Sequence, residues 1–206
     1  LELSSAASDV YKRQATASPS HLFKFHMSEG GLRVPLIMSG PGINKGKNHN
    51  FAFVTDIAAT ISDIVFDDVD ERIIGKSLQN SLAGSNENNY EDFEAVGLEV
   101  TGNSALFKGN YKIVRNRPPN GSNQWELYNL HEDPGETQDL SKIMPDKLFE
   151  LIEDYDQYAQ INGVIELPLD YQWAEEMTVN TFKRNYLPLL LLSLIHISEP
   201  TRRVCI

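Results

Sequence analysis

The chain has 206 residues, of which 41% are hydrophobic, so it can bury one core. Acidic side chains outnumber basic ones by 29 to 18, which gives a formal net charge of −11 without a basic stripe. This balance argues against a nucleic-acid-binding protein, because such proteins cluster Lys and Arg against phosphates. Cys205 is the single cysteine, so an internal disulfide is excluded and the redox compartment stays open.

The two ends of the chain differ in character from the rest. Residues 1–14 and 192–206 resemble translated sequencing adapters, and such additions are set aside before the fold is considered. We therefore expect residues 15–191 to be the native part, as an internal or C-terminal piece of a longer protein. The apolar run from Tyr186 to Ile197 is shorter than the roughly 18 to 20 apolar residues that a spanning helix needs. No membrane span is predicted.

The most informative segment begins at Lys24 and reads KFHMSEGGLRVPLIMSGPGI. A lysine stands five residues before Glu29, which is followed by two glycines. Paired glycines indicate a turn with positive φ or a close backbone approach, because both are nearly free only for glycine. The next residues, Val34–Met38, are too apolar for a half-solvated strand, so they predict a strand buried in a covered sheet.

A helix is predicted after this segment. Thr55 and Asp56 are favourable helix starters, and the apolar residues that follow recur at helical spacing on one face, at Ile57, Ile61, Ile64 and Val65. The acidic run over residues 67–71 would end the helix as a solvated loop. It lacks the alternating ligands and the glycine of a calcium loop, so no metal ligand is predicted in the chain.

The second half of the chain predicts a small sheet covered by one helix. Turn signals separate four short strand-like segments, which favours an antiparallel meander. The predicted strands are Ala95–Val100, Ser104–Phe107, Tyr111–Arg115 and Trp125–Leu130. Pro145 suits the first turn of a long amphipathic helix and Gly163 suits its C-cap. A sheet with a helix across it is an α+β subdomain.

Taken in order, these pieces resemble the C-terminal part of type I sulfatases, the arylsulfatase-like members of the alkaline-phosphatase superfamily. Thr55–Thr60 is similar to the family's D-I-A-P-T helix start, with Ala59 where proline is common. Lys108–Val114 resembles G-x-W/Y-K-L-V, and Trp125–Thr137 resembles W-x-L-Y-N-L-x-x-D-P-x-E. The resemblance covers most of Lys24–Leu169.

This resemblance implies a fold class of α/β to α+β and a division of the chain. Residues 15–84 would be the end of the catalytic α/β domain, with the last strand and helix of its large sheet. Residues 85–170 would be the C-terminal α+β subdomain, with about four antiparallel strands packed by a long helix. Residues 171–191 would be a tail, between the subdomain and the adapter-like end.

The resemblance also implies the hydrolysis of sulfate monoesters through formylglycine and calcium. The hydrated formylglycine attacks sulfur while the metal neutralises the sulfate oxygens. The motif C/S-x-P-x-R, which yields formylglycine, is absent from residues 15–191; its one match in the sequence, Ser198–Arg202, lies in the adapter-like end. We therefore expect a missing N-terminal part to supply both groups, and this chain alone to be inactive. The substrate would be a small-molecule or glycan sulfate ester, in an undetermined compartment, with periplasmic, extracellular or lysosomal locations compatible with the family.

Two residues are candidates for the site. The resemblance assigns Lys24 a catalytic role, in which its ammonium contacts a sulfate oxygen and the ester oxygen and stabilises charge on the leaving group. The alternative is an ordinary exposed lysine. His26 is a candidate substrate-binding residue, although a loop histidine is more often simply polar. We expect Glu29 to hold the turn or to pair with Arg33.

Other interpretations stay open at this stage. Asp133 and Glu136 could be paired carboxylates for acid–base chemistry, but the Pro-Gly between them indicates a structural turn. The longer protein could instead be a phosphodiesterase or phosphonate hydrolase of the same superfamily, or a paralogue that binds without catalysis. We also expect the isolated chain to fold poorly, because Val34–Met38 would lack a neighbouring strand and expose an apolar edge.

Overall fold

The computed structural model describes residues 19–66, 71–171 and 173–185. The adapter-like ends, part of the acidic run and the apolar run after Tyr186 lie outside these residues. The described elements, in chain order, are α1 (Glu29–Leu32), α2 (Val54–Phe66), α3 (Gln79–Leu82), β1 (Ala95–Val100), β2 (Asn103–Lys108), β3 (Tyr111–Arg115), β4 (Glu126–Asn129), α4 (Pro145–Asn162) and α5 (Trp173–Asn185).

The four strands form one antiparallel sheet in the order β1-β2-β3-β4. The predicted meander is therefore confirmed, with strand ends that shift by one residue at β2 and β4. In the register, Leu106 lies opposite Ile113, and Ile113 lies opposite Leu127. Because side chains alternate along a strand, these three residues share one face, while Ala105 and Val114 share the other.

Helix α4 covers the first face of the sheet. Leu106, Ile113 and Leu127 form a buried cluster with Leu151 and Tyr155 of the helix. Burying such a side chain contributes about 1.5–3 kcal/mol, so this cluster is the main apolar core of the sheet. The helix begins at a proline and ends at a left-handed glycine with φ of 64°, as the sequence predicts.

Helix α2 is anchored at its start by a buried carboxylate. Asp56 accepts a hydrogen bond from the backbone N–H of Phe53, at 2.7 Å, which satisfies a donor that the helix leaves unpaired. Its other oxygen accepts from the N–H of Lys76 at 2.9 Å and from the hydroxyl of Tyr90 at 2.6 Å. Asp56 therefore joins the predicted helix start to the segment before the sheet.

Residues Val34–Met38 do not form the predicted strand. They are irregular in the structure, and Val34 and Ile37 are 78% and 91% exposed. A strand requires a hydrogen-bonded neighbour, and within the described residues no strand pairs with this segment. The prediction that this segment is a buried strand is therefore wrong for this structure.

The chain divides into two compact units, Leu1–Ile165 and Glu166–Ile206. In the second unit, helix α5 has Glu175 and Glu176 in its first turn and basic residues in its last turn. Both placements complement the helix dipole. Of the described helices, none combines the length and the apolar character needed to cross a membrane. The predicted boundaries after residues 84 and 170 stay predictions.

Candidate functional site

The second face of the sheet is covered by residues 21–33, here called the lysine segment. It folds back on itself through two hydrogen bonds, from Gly30 N–H to the His21 carbonyl at 2.9 Å and from His26 N–H to the Phe23 carbonyl at 3.1 Å. A Cβ at Gly30 or Gly31 would lie 2.2 Å from a carbonyl oxygen. The paired glycines therefore serve a close backbone approach, one of the two predicted possibilities.

An apolar contact docks this segment on the sheet. Met27 is only 1% exposed and packs against Ala105, Val114 and Tyr128. Methionine adapts to irregular gaps because its chain is unbranched and its sulfur is polarizable. The lysine segment is therefore joined to the core of the sheet at its centre, three residues from Lys24.

Two buried asparagines fix the backbone around this contact. Asn103 donates to the Phe25 carbonyl at 2.7 Å and accepts from the N–H of Arg117 at 2.7 Å. Asn116 accepts from the N–H of Met27 at 2.8 Å and donates to the Ser28 hydroxyl at 3.0 Å. Both asparagines lie at the same end of the sheet, where β2 begins and β3 has just ended.

Phe25 adopts a backbone conformation that side chains rarely occupy. Its φ is 82°, and such a conformation costs on the order of 1–3 kcal/mol for a residue other than glycine. The hydrogen bond that its carbonyl accepts from Asn103 holds it there. Backbone strain of this kind persists only where surrounding contacts over-determine it. The residue directly after Lys24 is therefore held in one defined geometry.

A buried ionic cluster completes the docking. The Lys112 ammonium lies 2.8 Å from a carboxylate oxygen of Glu29 and 2.8 Å from one of Glu136, with the Lys112 side chain 0% exposed. Glu136 also accepts from the backbone N–H of Glu29 at 2.7 Å, and the ammonium lies 4.8 Å from the centre of the Phe107 ring. This Glu29–Lys112–Glu136 cluster, the buried triad, joins the lysine segment to the sheet.

The triad corrects one expectation and explains another. Glu29 forms its ion pair with Lys112 instead of Arg33, and the backbone N–H of Arg33 bonds to the Glu29 carbonyl at 2.9 Å. Glu136 is a buried structural partner. Asp133 accepts from the backbone N–H groups of residues 137 and 138 at 2.6 and 2.8 Å, which agrees with the predicted turn.

Lys24 is the exposed group that this framework presents. Its ammonium lies 4.9 Å from the centre of the Phe25 ring, and its side chain reaches solvent. Within the described residues it makes no salt bridge, whereas Lys112 makes two. An ammonium without a carboxylate partner in this part of the chain can donate hydrogen bonds to an incoming anion.

His26 is buried instead of facing solvent. Its Nδ1 lies 3.0 Å from the Phe23 carbonyl oxygen, and its Nε2 lies 3.0 Å from the side-chain nitrogen of Asn120. Because a carbonyl only accepts, Nδ1 carries the hydrogen, and Nε2 accepts from Asn120. Burial lowers the pKa of His26, consistent with this neutral form. The geometry favours a supporting role for His26; its substrate contact stays a prediction.

Three residues of this framework, Lys112, Asn103 and Asn116, were not singled out by the sequence. One signal was available, because Lys112 lies within a short strand and directly precedes the apolar Ile113 and Val114. A lysine buried there requires a carboxylate partner. Its partners are 83 and 24 residues away in sequence, so no local pattern could identify them. In the described part of the chain, no three His, Cys, Asp or Glu side chains cluster as a metal site.

Comparisons with known proteins place this arrangement in a family. Residues 20–158 match the family model described as "N-sulphoglucosamine sulphohydrolase, C-terminal". A fission-yeast protein, an uncharacterized sulfatase of Schizosaccharomyces pombe, is 35% identical over an alignment of 179 residues; the match covers 77% of this chain and 30% of that protein. The chain thus spans about 30% of the length of this curated relative.

A solved structure has a similar fold. The crystal structure of Ps i-CgsB matches with a TM-score of 0.58 at 18% identity, over 83% of this chain and 38% of that one. A second structure of the same protein, in complex with k-i-k-neocarrahexaose, matches with a TM-score of 0.57. At this identity the likeness establishes the fold. The family-model match over residues 20–158 shows that this chain belongs to the sulfatase family, in the group whose model is described as the C-terminal part of N-sulphoglucosamine sulphohydrolase.

Proposed function

We propose that this chain is the C-terminal part of a hydrolase that cleaves sulfate esters, and that Lys24 contacts the sulfate group. The observation that carries the proposal is that an exposed ammonium, that of Lys24, lies on a segment held firmly against the sheet. Lys24 lies on a segment that Met27, two buried asparagines and the buried triad attach to the sheet. Such rigidity is what a site needs to stabilise charge that develops during a reaction.

In the proposed reaction, the Lys24 ammonium donates hydrogen bonds to a sulfate oxygen and to the bridging ester oxygen. As the sulfur–oxygen ester bond breaks, negative charge develops on the bridging oxygen and is stabilised by the ammonium. A contact that strengthens in the transition state raises kcat, unlike one that binds substrate and transition state equally. Removing one such donor typically costs about 100- to 1000-fold in rate.

Formylglycine and calcium are proposed to come from residues outside this chain. The expected native part, residues 15–191, has no formylglycine motif, and the described residues offer no cluster suited to a metal. The residues present therefore do not fit either group. When bound, calcium would neutralise the sulfate oxygens. The role of this chain is to position one cation and the surface around it.

The proposed substrate is a small-molecule or glycan sulfate ester. Two similarities favour a glycan: the family description names N-sulphoglucosamine, whose sulfo group is bonded to nitrogen, and a structure of Ps i-CgsB is a complex with k-i-k-neocarrahexaose. The ester bond itself is part of the proposal. The family description names a sulphohydrolase, which favours a sulfatase over a phosphodiesterase or phosphonate hydrolase. A paralogue that binds without catalysis would release no sulfate in the experiment below.

The test uses a full-length protein that contains this chain, with sulfate release measured from 4-nitrophenyl sulfate and from glucosamine sulfates. We expect Lys24→Ala to lower kcat by about 100- to 1000-fold. Lys47→Ala is the matched control, because Lys47 is also an exposed lysine outside helices and strands, in the same N-terminal part of the chain. It should leave the rate unchanged. A Lys24→Ala protein with the normal rate would contradict the proposal.

A further inference from the structure

We infer that Lys112 is a positioning residue for Lys24, acting through Glu29; this inference rests on the proposed function. The Lys112 ammonium contacts both Glu29 on the lysine segment and Glu136 beyond β4. Its side chain is fully buried. Lys112 therefore acts inside the protein and cannot contact a substrate itself.

The contacts lead from Lys112 to Lys24 without a gap. Glu29 begins the short helix α1, and the next residue, Gly30, donates its N–H to the His21 carbonyl. This hydrogen bond closes residues 21–30 into a loop, and Lys24 is one of the residues of that loop. The two ends of the loop are in close backbone contact, since a Cβ at Gly30 would lie 2.2 Å from the Leu22 carbonyl oxygen and 2.5 Å from that of His21. Displacing Glu29 therefore displaces the loop that carries Lys24.

Charge makes the position of Glu29 dependent on Lys112. Two carboxylates face one ammonium in a site closed to water. Without the ammonium, the two negative charges repel each other and lack the solvent that would screen them. Glu29 can then relieve the repulsion by moving toward the surface, since it belongs to a segment outside the sheet. Glu136 can do so only by disturbing its turn.

The chain provides a matched control for Lys112 on the opposite face. Lys108 also contacts two carboxylates, those of Glu150 and Asp154, at 3.0 and 2.7 Å. It joins β2 to helix α4, and its side chain is 15% exposed. Both lysines thus lie in strands of the sheet, and each contacts two carboxylates. They differ in burial, and in that Lys112 alone contacts the lysine segment.

The first readout is hydrogen exchange in the full-length protein. We expect Lys112→Met to increase the exchange rates of the Met27 and Gly30 amides roughly tenfold or more, since these groups hold the loop. Lys108→Met should leave the two rates unchanged and instead affect amides of α4. This readout does not depend on enzymatic activity. Unchanged Met27 and Gly30 rates in Lys112→Met would overturn the inference.

The second readout is a double-mutant cycle on sulfate release. We expect Lys112→Met to lower kcat by roughly 10- to 100-fold with little change in KM, because a misplaced group costs rate even when the substrate still binds. In a Lys24→Ala background the same substitution should add little, since its effect passes through Lys24. An undiminished additional loss in that background would show that Lys112 acts through general stability and would overturn the inference.

A milder substitution covers the case in which Lys112→Met does not fold. Glu29→Gln keeps an oxygen that accepts from Lys112 but removes one charge, so it should give the same kinetic pattern with a smaller loss. The two readouts also separate the two proposals. If Lys24→Ala has normal activity while exchange responds as expected, the proposed function fails. Lys112 would then hold the lysine segment without contributing to the reaction. If Lys24→Ala is impaired but exchange does not respond, only the positioning inference fails.

Discussion

The two faces of the sheet are covered in different ways. On one face, helix α4 packs Leu151 and Tyr155 against three buried aliphatic residues of the strands. On the other, the lysine segment docks through Met27 and the partly buried Leu32, two buried asparagines and a buried triad of charges. Apolar packing is strong but non-directional, whereas hydrogen bonds and ion pairs fix orientation. We conclude that the first face mainly stabilises the fold and the second mainly sets a position.

The largest expected effect comes from the charges of the second face. Lys112→Met leaves two buried carboxylates without a cation, which should lower the free energy of local opening by about 3–5 kcal/mol. Lys108→Met should cost about 1 kcal/mol or less, because its pairs are near the surface. Native-state hydrogen exchange in the full-length protein measures both. Equal losses for the two lysines would remove the distinction between the faces.

A substitution in the apolar face should destabilise helix α4 and the strands instead of the lysine segment. Leu151→Ala removes a fully buried side chain from the α4 cluster, at an expected cost of about 2–5 kcal/mol in the opening of α4 and the strands. The amides around Lys24 should retain their relative protection as long as the sheet is closed. Leu140→Ala, at the partly buried margin of the same cluster, is the control and should cost less. Selective loosening of the lysine segment by Leu151→Ala would argue against separate roles.

A smaller effect is expected at the asparagine that holds Met27. Asn116→Ala leaves the buried N–H of Met27 without its acceptor, which should cost about 1–3 kcal/mol in local opening. The matched control is Gln124→Ala, an exposed amide in the same β3–β4 connection. Hydrogen exchange of the Met27 amide reports the difference directly. Protection of that amide in Asn116→Ala equal to wild type would show that the hydrogen bond does not hold the segment.

The smallest expected effect depends on pH. Burial lowers the pKa of His26 below its ordinary value of 6.5, so the unfolded segment binds a proton more readily than the folded one. The stability from neutral His26 is fully present above that ordinary value and is lost as the pH falls below it and through the lower pKa of the folded state. His26→Gln should reduce this loss of local stability between pH 7.5 and 5.5. An identical pH dependence for both proteins would exclude His26 as its source.

The sequence predicts the helices and strands of this structure better than the long-range contacts between them. The strands and helix α4 follow from alternation, turn residues, Pro145 and Gly163, all of which act within a few residues. Asn103, Asn116 and Lys112 contact the lysine segment across 78 to 89 residues of sequence, where local patterns carry no information. Val34–Met38 illustrates the same limit, because its composition indicates burial but a strand also requires a partner.

In the candidate site, too, the features that depend on distant residues could not be predicted from the sequence. Lys24 is exposed, which fits both an ordinary surface lysine and the catalytic role that the family resemblance assigns; that role stays a prediction. The burial of His26 could not be predicted, since it depends on Asn120, 94 residues away. The triad also accounts for Glu29 and Glu136, two acids that look unrelated in sequence. Their common partner is a lysine on the central part of the sheet.

The most direct test of the central claim, that the polar face holds Lys24 at a leaving-group oxygen, is the dependence of kcat on the leaving group. It would be measured in the full-length protein with aryl sulfates whose phenols differ in pKa. The account predicts a shallow dependence for the wild type, a steeper one for Lys24→Ala and an intermediate one for Lys112→Met, because each loss of stabilisation matters most for poor leaving groups. Three parallel dependences would contradict it, since Lys24 would then make no contact with the departing oxygen.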